Sequence, residues 1–312
     1  MDSDIWAVTA YFNPAGYASR LRNHRLFRAA LSIPLLAVEL SFTGDFALGD
    51  GDADILLHMQ GGDILWQKER LINLSLAALP ASCTKVALLD GDIIFGRHDW
   101  AEAASRMLDE RLLIQPFSHA FSMRPAWRPG DAVDRALDLR HPPAYLIDRG
   151  ATAEHAVAIN GGAFAPMQHA PGLAWAARRD LLVEHGLYDA CIIGGGDGAL
   201  MRAAFGFPDL TRIFQRMQPD RYDHYHAWAE PFGRSLADTG IGYIRGDVYH
   251  LWHGRPADRR YIDRHGELAG YGFDPRLDIG PAANGLWAWT SPKPDMHRFV
   301  RDYFAARRED AD

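Results

Sequence analysis

Asp90-Gly91-Asp92 sets two carboxylates one residue apart, directly after the apolar run Val86 to Leu89 and before a second apolar run, Ile93 to Phe95. Carboxylates at the end of a buried strand are costly unless they are paired or bound to a cation. A divalent ion bridging them to a diphosphate would neutralise both sides. An ordinary Asp-Gly turn is the competing reading. Asp197 follows three glycines, Gly194 to Gly196, whose missing side chains let backbone approach a ligand closely. It stands near the start of a helical run, Ala199 to Phe205, so a helix cap is its alternative. His250 and His253 close the passage Ile241 to Tyr249, and Gly254 makes their setting a loop, in which one imidazole can reach a metal while the other packs. Arg255, Arg259, Arg260, Tyr261 and Arg264 then form a basic, aromatic run suited to a diphosphate or a sugar, with a solvated charged helix as the alternative.

These residues need elements to position them. Val86 to Leu89 has period neither 2 nor 3.6 and reads as a strand buried on both faces, as in the middle of a mostly parallel sheet. In such sheets the ligand crevice lies outside the carboxyl ends of the strands, which is where the two aspartates fall. Ile5 to Tyr11 reads as a first buried strand and Phe12-Asn13-Pro14-Ala15-Gly16 as its loop. Tyr17 to Leu31 reads as an amphipathic helix, whose Arg20 and Arg22 lie near the loop within reach of phosphate; a solvated basic face is the alternative. Leu35 to Leu40, carrying Glu39, and Asp54 to Met59 read as two more strands, and Trp66 to Leu79 as a helix stopped by Pro80. Strand and helix alternate up to residue 95, which implies a doubly wound α/β fold with right-handed crossovers. Trp100 to Leu113 reads as a further helix and Pro116 to Gly150 as a long irregular segment, a candidate binding loop. Asn160 to Phe164 precedes a strand-helix passage, Leu173 to Glu184.

The 312-residue chain can bury a sizeable core, and its 48% hydrophobic and 23% charged content is ordinary for a globular protein. A net charge of -7 gives no general attraction to nucleic acid or anionic membrane. Cys83 and Cys191 are far apart, which argues against a disulfide framework or a thiolate metal site. The acidic start MDSDIWAV runs straight into a strand, and no apolar stretch is long enough to span a bilayer, so the expectation is a cytoplasmic protein with no signal peptide and no integral membrane segment.

Taken together the pieces resemble a glycosyltransferase of the GT-A fold, nearest to the family 2 type and to galactosyltransferases with the related C-terminal motif. Asp90-Gly91-Asp92 matches the family's DxD, and Lys68, Asn73 and Ala77-Ala78 fit the spacing of the helix before it. Ala174 to Asp180, Gly186-Leu187-Tyr188-Asp189 and Gly195-Gly196-Asp197-Gly198 resemble the second signature in order and spacing. Gly198 stands where many relatives carry a second acidic residue.

The resemblance implies a GT-A (Rossmann-like) domain over residues 1–265, with a nucleotide-sugar half at 1–113, an acceptor and catalytic half at 114–265, and an extension at 266–312. It implies a hexosyltransferase that moves a sugar from a nucleotide-diphosphate donor, with a UDP-sugar favoured, to a hydroxyl of a glycan, a protein or a hydroxylated nucleobase, with inversion. Asp92 and His253 would hold Mn²⁺ or Mg²⁺, with His250 the second candidate and Asp90 on the ion or the ribose; oxygen and imidazole donors suit those ions. Asp197 would be the general base. Glu39 would meet the nucleotide base, Trp175 would stack on a sugar or pack in the core, and Lys68, Asn73, Arg20 and Arg255 would line the donor site. Other readings are a sugar-phosphate nucleotidyltransferase, for which Asn13 to Gly16 makes a poor Gly-rich loop, and a catalytically inactive nucleotide-sugar-binding protein, which Gly198 keeps open. A haloacid dehalogenase-type phosphatase would continue Gly-Thr after its DxD, where Ile93-Ile94 stand here.

Overall fold

A computed structural model describes residues 3–133, 136–158 and 169–311; Asn160 to Phe164 lie outside the described residues. The aromatic and aliphatic run Ile5–Phe12 forms β1, followed by α1 (Ala18–Ala30), β2 (Leu35–Ser41), β3 (Ile55–Gln60), α2 (Lys68–Ser75) and β4 (Lys85–Leu89). β1, β2 and β4 are buried almost throughout, because α1 and α2 cover opposite faces of the sheet they build. β1 pairs in parallel with β2 (Ala7 opposite Leu35) and with β4 (Ile5 opposite Lys85).

Next come β5 (Ile93–Phe95), α3 (Trp100–Leu108), β6 (Leu113–Gln115), β7 (His119–Ser122), β8 (Asp138–Arg140), α4 (Pro143–Asp148), α5 (Ala153–Val157), β9 (Ala174–Arg178) and α6 (Arg179–His185). The helix expected over Trp100 to Leu113 therefore stops at Leu108. Leu113 and Ile114 are drawn out of it by pairing with β9 and with a later strand, where both are fully buried. Among its described residues the irregular segment Pro116 to Gly150 holds two short strands and a helix of its own.

The chain continues with α7 (Gly196–Ala204), α8 (Pro208–Phe214), α9 (Pro219–Leu236), β10 (Ile241–Tyr243), β11 (Asp247–His250), α10 (Asp263–Gly270), α11 (Pro275–Asp278), β12 (Ile279–Pro281), β13 (Trp287–Trp289) and α12 (Pro294–Ala306). The polar run Arg221 to His226 falls inside α9, whose buried Arg221, Tyr225, Ala229, Phe232 and Leu236 recur at helical spacing. The central sheet has seven strands in the order β10-β6-β9-β4-β1-β2-β3, with β9 antiparallel to both neighbours. This is the mostly parallel, helix-flanked sheet expected of a GT-A fold. A second sheet runs β5-β11-β7-β8.

α10 runs through residue 265, and Phe273, Leu286, Met296, Val300 and Phe304 join the same core as Trp6 and Val8 of β1. No helix among the described residues is long and apolar enough to cross a membrane.

Candidate active site

β4 delivers Asp90 and Asp92 to the carboxyl edge of the central sheet, and the two side chains part company there. Antiparallel pairing of β4 with β9 sets Leu89 against Ala174, so the Leu173 carbonyl accepts the Asp90 N–H at 2.9 Å. Leu173 holds a left-handed φ of 74°, a conformation uncommon for a residue other than glycine. Asp90 then turns to Lys68, whose Nζ donates to Asp90 Oδ1 at 2.5 Å and to Asp197 Oδ1 at 2.9 Å. One ammonium thus ties the first turn of α2 to the ends of β4 and α7. Burial would lower the Lys68 ammonium, but Asp197 and Asp90 outweigh it and raise it well above its ordinary value. The Asp90 carboxyl is raised by burial and by the nearby Asp197 and Asp92, against Lys68.

Asp92 faces the other way. β11 runs antiparallel to β5 with His250 opposite Ile93, and the Leu251 N–H donates to the Asp92 carbonyl at 2.8 Å. That register carries both histidines to Asp92. One ligand atom each from Asp92, His250 and His253 lie within 4.8 Å of one another. His250 Nε2 stands 3.5 Å from Asp92 Oδ1, too far for a good hydrogen bond, and that oxygen is buried without a hydrogen-bond partner. His253 Nδ1 lies 3.0 Å from the Leu251 carbonyl, which fixes the ring and leaves Nε2 for another partner. An orphaned carboxylate oxygen beside two imidazoles fits a divalent ion such as Mn²⁺. Burial would raise the Asp92 carboxyl, but His250, then Arg259 and Arg20, hold it below its ordinary value.

Asp197 is not a helix cap. The cap position of α7 is Gly195 at φ 99°, with no side-chain cap, and the Asp197 carboxylate is engaged by Lys68. A Cβ on Gly196 would run into the Glu69 carboxyl, so this glycine permits the close approach of α7 to α2. Glu69 itself is 6% exposed, and burial pushes its carboxyl up to about 8, Asp197 adding to the rise and Lys68 opposing it. A cavity of about 20 Å³, room for roughly one water, lies among Lys68, Glu69, Trp175, Tyr188, Gly196 and Asp197.

The remaining expected residues are engaged in other contacts. Asn73 is a latch: its Nδ2 donates to the Leu187 carbonyl at 2.9 Å and its Oδ1 accepts the Leu187 N–H at 2.8 Å. Both oxygens of Glu39 accept amides of the loop after β2, from Ala47 at 2.7 Å and Leu48 at 2.9 Å. Trp175 is 2% exposed and its indole donates to the Pro171 carbonyl at 3.0 Å, so it packs in the core beside the cavity. Arg255 is exposed before the turn Pro256–Arg259. Arg20 is paired with Glu309 at 2.6 Å, close enough to Asp92 for the two charges to feel each other. Sequence reading did not single out Glu69 or Glu309. The register of Glu69 with Ile72 on the buried face of α2, in line with Leu76 just past its end, could have flagged the former; nothing in the terminal Arg-Arg-Glu-Asp run marks the latter.

No protein-family model and no curated protein matches the chain. Solved structures do resemble it in outline. S. aureus TarS 1-349 is 8% identical, covering 97% of this chain and 71% of that one at a TM-score of 0.38. The mannosyltransferase PcManGT from Pyrobaculum calidifontis, solved with GDP-Man and Mn²⁺, is 13% identical, covering 97% and 73% at 0.42. The 4-diphosphocytidyl-2C-methyl-D-erythritol synthase from Anaerococcus prevotii is 10% identical, covering 78% and 88% at 0.33.

Proposed function

We propose that the protein is a metal-assisted glycosyltransferase that moves a hexosyl group from a nucleotide-diphosphate sugar, with a UDP-sugar favoured, to an acceptor hydroxyl with inversion. The observation that carries this reading is the convergence of Asp92, His250 and His253 at the carboxyl end of β4, one residue from the Asp90–Lys68–Asp197 bridge. A divalent ion at the first group would neutralise charge on the leaving diphosphate.

The chain's own residues do the rest. Lys68 fixes Asp197 through one carboxylate oxygen and leaves the other to take the proton of an incoming hydroxyl. The acceptor oxygen bonds to the anomeric carbon as its bond to the diphosphate breaks, and attack opposite the leaving group inverts that carbon. Asp90 serves the same bridge from the donor side, holding Lys68 in place. The acceptor is a glycan, a protein or a hydroxylated nucleobase, chosen by the segment from 116 to 172.

Thermal unfolding with UDP, GDP, CMP and dTDP sugars, with and without Mn²⁺, tests the donor site. A ligand at 100 times its Kd adds about 2.7 kcal/mol. A Mn²⁺-dependent shift with one nucleotide class, lost in Asp92→Ala, is expected; no shift with any of them refutes the reading. Asp197→Asn should keep that shift and lose transfer by about a hundredfold or more, the scale of a general base. Binding by the wild type without transfer to any acceptor would leave only a nucleotide-sugar-binding protein.

A further inference from the structure

Among the described residues a buried cluster of charged side chains lies beside the metal-ligand group and is not used by the mechanism above. Three guanidiniums, of Arg20, Arg259 and Arg307, converge on one carboxylate, Glu309, which is 1% exposed. Glu309 takes Arg20 through both oxygens, at 2.6 and 2.9 Å, and lies 2.6 Å from Arg307 Nε and 3.4 Å from Arg259 Nη2. Arg259 also donates to the His253 carbonyl at 2.9 Å, and Arg20 to the carbonyl of Phe12 at the end of β1 at 3.0 Å. The cluster is therefore attached to the metal-side loop and to the ligand edge of the sheet at once.

Its charges do not balance. Three buried cations share one carboxylate, with the more distant charge of Asp92 acting on Arg20 and Arg259 as well, and such burial is costly; Arg259 Nε and Arg307 Nε are buried with no hydrogen-bond partner. Burial, with Arg259 beside it, draws the Arg307 guanidinium down to about 10. Burial would raise Glu309, but Arg20 and Arg307 bring it down to about 2, so it is an anion at every ordinary pH. Planar guanidinium forks around one small anion are the usual means of binding phosphate.

The anion now there belongs to the last residues of the chain, which lie across the start of α1. Asp310 accepts the backbone N–H groups of Ala18 and Ser19 at 2.9 and 2.8 Å. Tyr17 Oη accepts the Arg308 N–H at 3.0 Å, and the Trp252 indole donates to the Ala311 carbonyl at 3.0 Å. Beyond Arg307, which caps the end of α12, the tail from Arg308 to Ala311 is thus held chiefly by polar contacts, of a kind that an added anion can exchange.

We propose that the Arg20–Arg259–Arg307 pocket binds the diphosphate of a ligand, and that Glu309 occupies it as an internal substitute which the diphosphate displaces, releasing the tail. The inference rests on the proposed donor for the identity of the diphosphate. The tail is then a plug whose departure accompanies ligand entry.

Inorganic pyrophosphate in EDTA, with sulfate at equal ionic strength as control, tests this apart from the metal and the sugar. By calorimetry, Glu309→Gln should bind pyrophosphate at least about tenfold more tightly than the wild type, because its competitor is gone. In the wild type, pyrophosphate should speed hydrogen exchange at Ala18, Ser19, Arg308 and Ala311, and this arm stands if the variant does not fold. Equal affinity of a folded Glu309→Gln, unchanged or slower exchange in the tail, or an equal response to sulfate would each overturn the proposal. A Mn²⁺-dependent nucleotide-sugar shift with a silent tail would sink this inference and spare the glycosyltransferase. A pyrophosphate response with no nucleotide-sugar shift would do the reverse.

Discussion

Replacing Glu69 with Gln removes the titration of one buried carboxyl while keeping its shape. Glu69 sits in the first turn of α2 at 6% exposure, against Gly196 and between Lys68 and Asp197. Burial raises its carboxyl from 4.5 to about 8, so between those values the folded chain keeps a proton that the unfolded chain has lost. Stability therefore falls as pH rises through that window, because the folded state binds more protons than the unfolded. At about 1.4 kcal/mol per pKa unit the full cost is roughly 5 kcal/mol, an upper limit that relaxation and water entry reduce. The variant carries no such cost. Urea unfolding of both proteins at pH 4.5, 6, 7 and 8.5, followed by tryptophan fluorescence, measures the difference. Near pH 4.5 the two should differ by a constant set by the amide, and by pH 8.5 the variant should have gained several kcal/mol on the wild type. Parallel profiles across the range would show that Glu69 titrates normally, and the account of the packing between α2 and α7 would fail with it.

Gly196→Ala should cost about 1–3 kcal/mol or more in the same unfolding assay, because its Cβ meets the Glu69 carboxyl. Asn73→Ala leaves the Leu187 N–H and carbonyl without their partner and should cost about 1–3 kcal/mol with little change in ligand-induced shifts. Glu309, held at about 2 in the folded chain, contributes stability that is full above pH 4.5 and lost as pH falls towards 2. Glu309→Gln should remove roughly 3 kcal/mol at pH 7 and much less at pH 2, measured by urea unfolding at both.

The middle of the central sheet was legible because β1, β2 and β4 are nearly uniform apolar runs, and burial on both faces leaves no other arrangement for Ile5–Phe12, Leu35–Ser41 and Lys85–Leu89. The DGD at the end of β4 was legible for the same reason: a strand end after such a run lies at the ligand edge of an α/β sheet. The sequence alone therefore placed Asp90 and Asp92 at that edge and Asp197 at the start of a helix, since both placements follow from local pattern.

Tertiary structure decided how those residues are shared out. Asp90 and Asp92 are one residue apart in sequence, yet one goes to Lys68 and the other to the two histidines, because β9 pairs along β4 as far as Leu89 and β11 pairs with β5 just beyond it. It also decided that Leu113 leaves a helical pattern for a strand, and that an acidic residue three from the end of the chain lies buried among arginines drawn from residues 20, 259 and 307. Such pairings are long-range. Their energy depends on charges and strand edges that meet only after the chain has folded, and no window of sequence contains both partners.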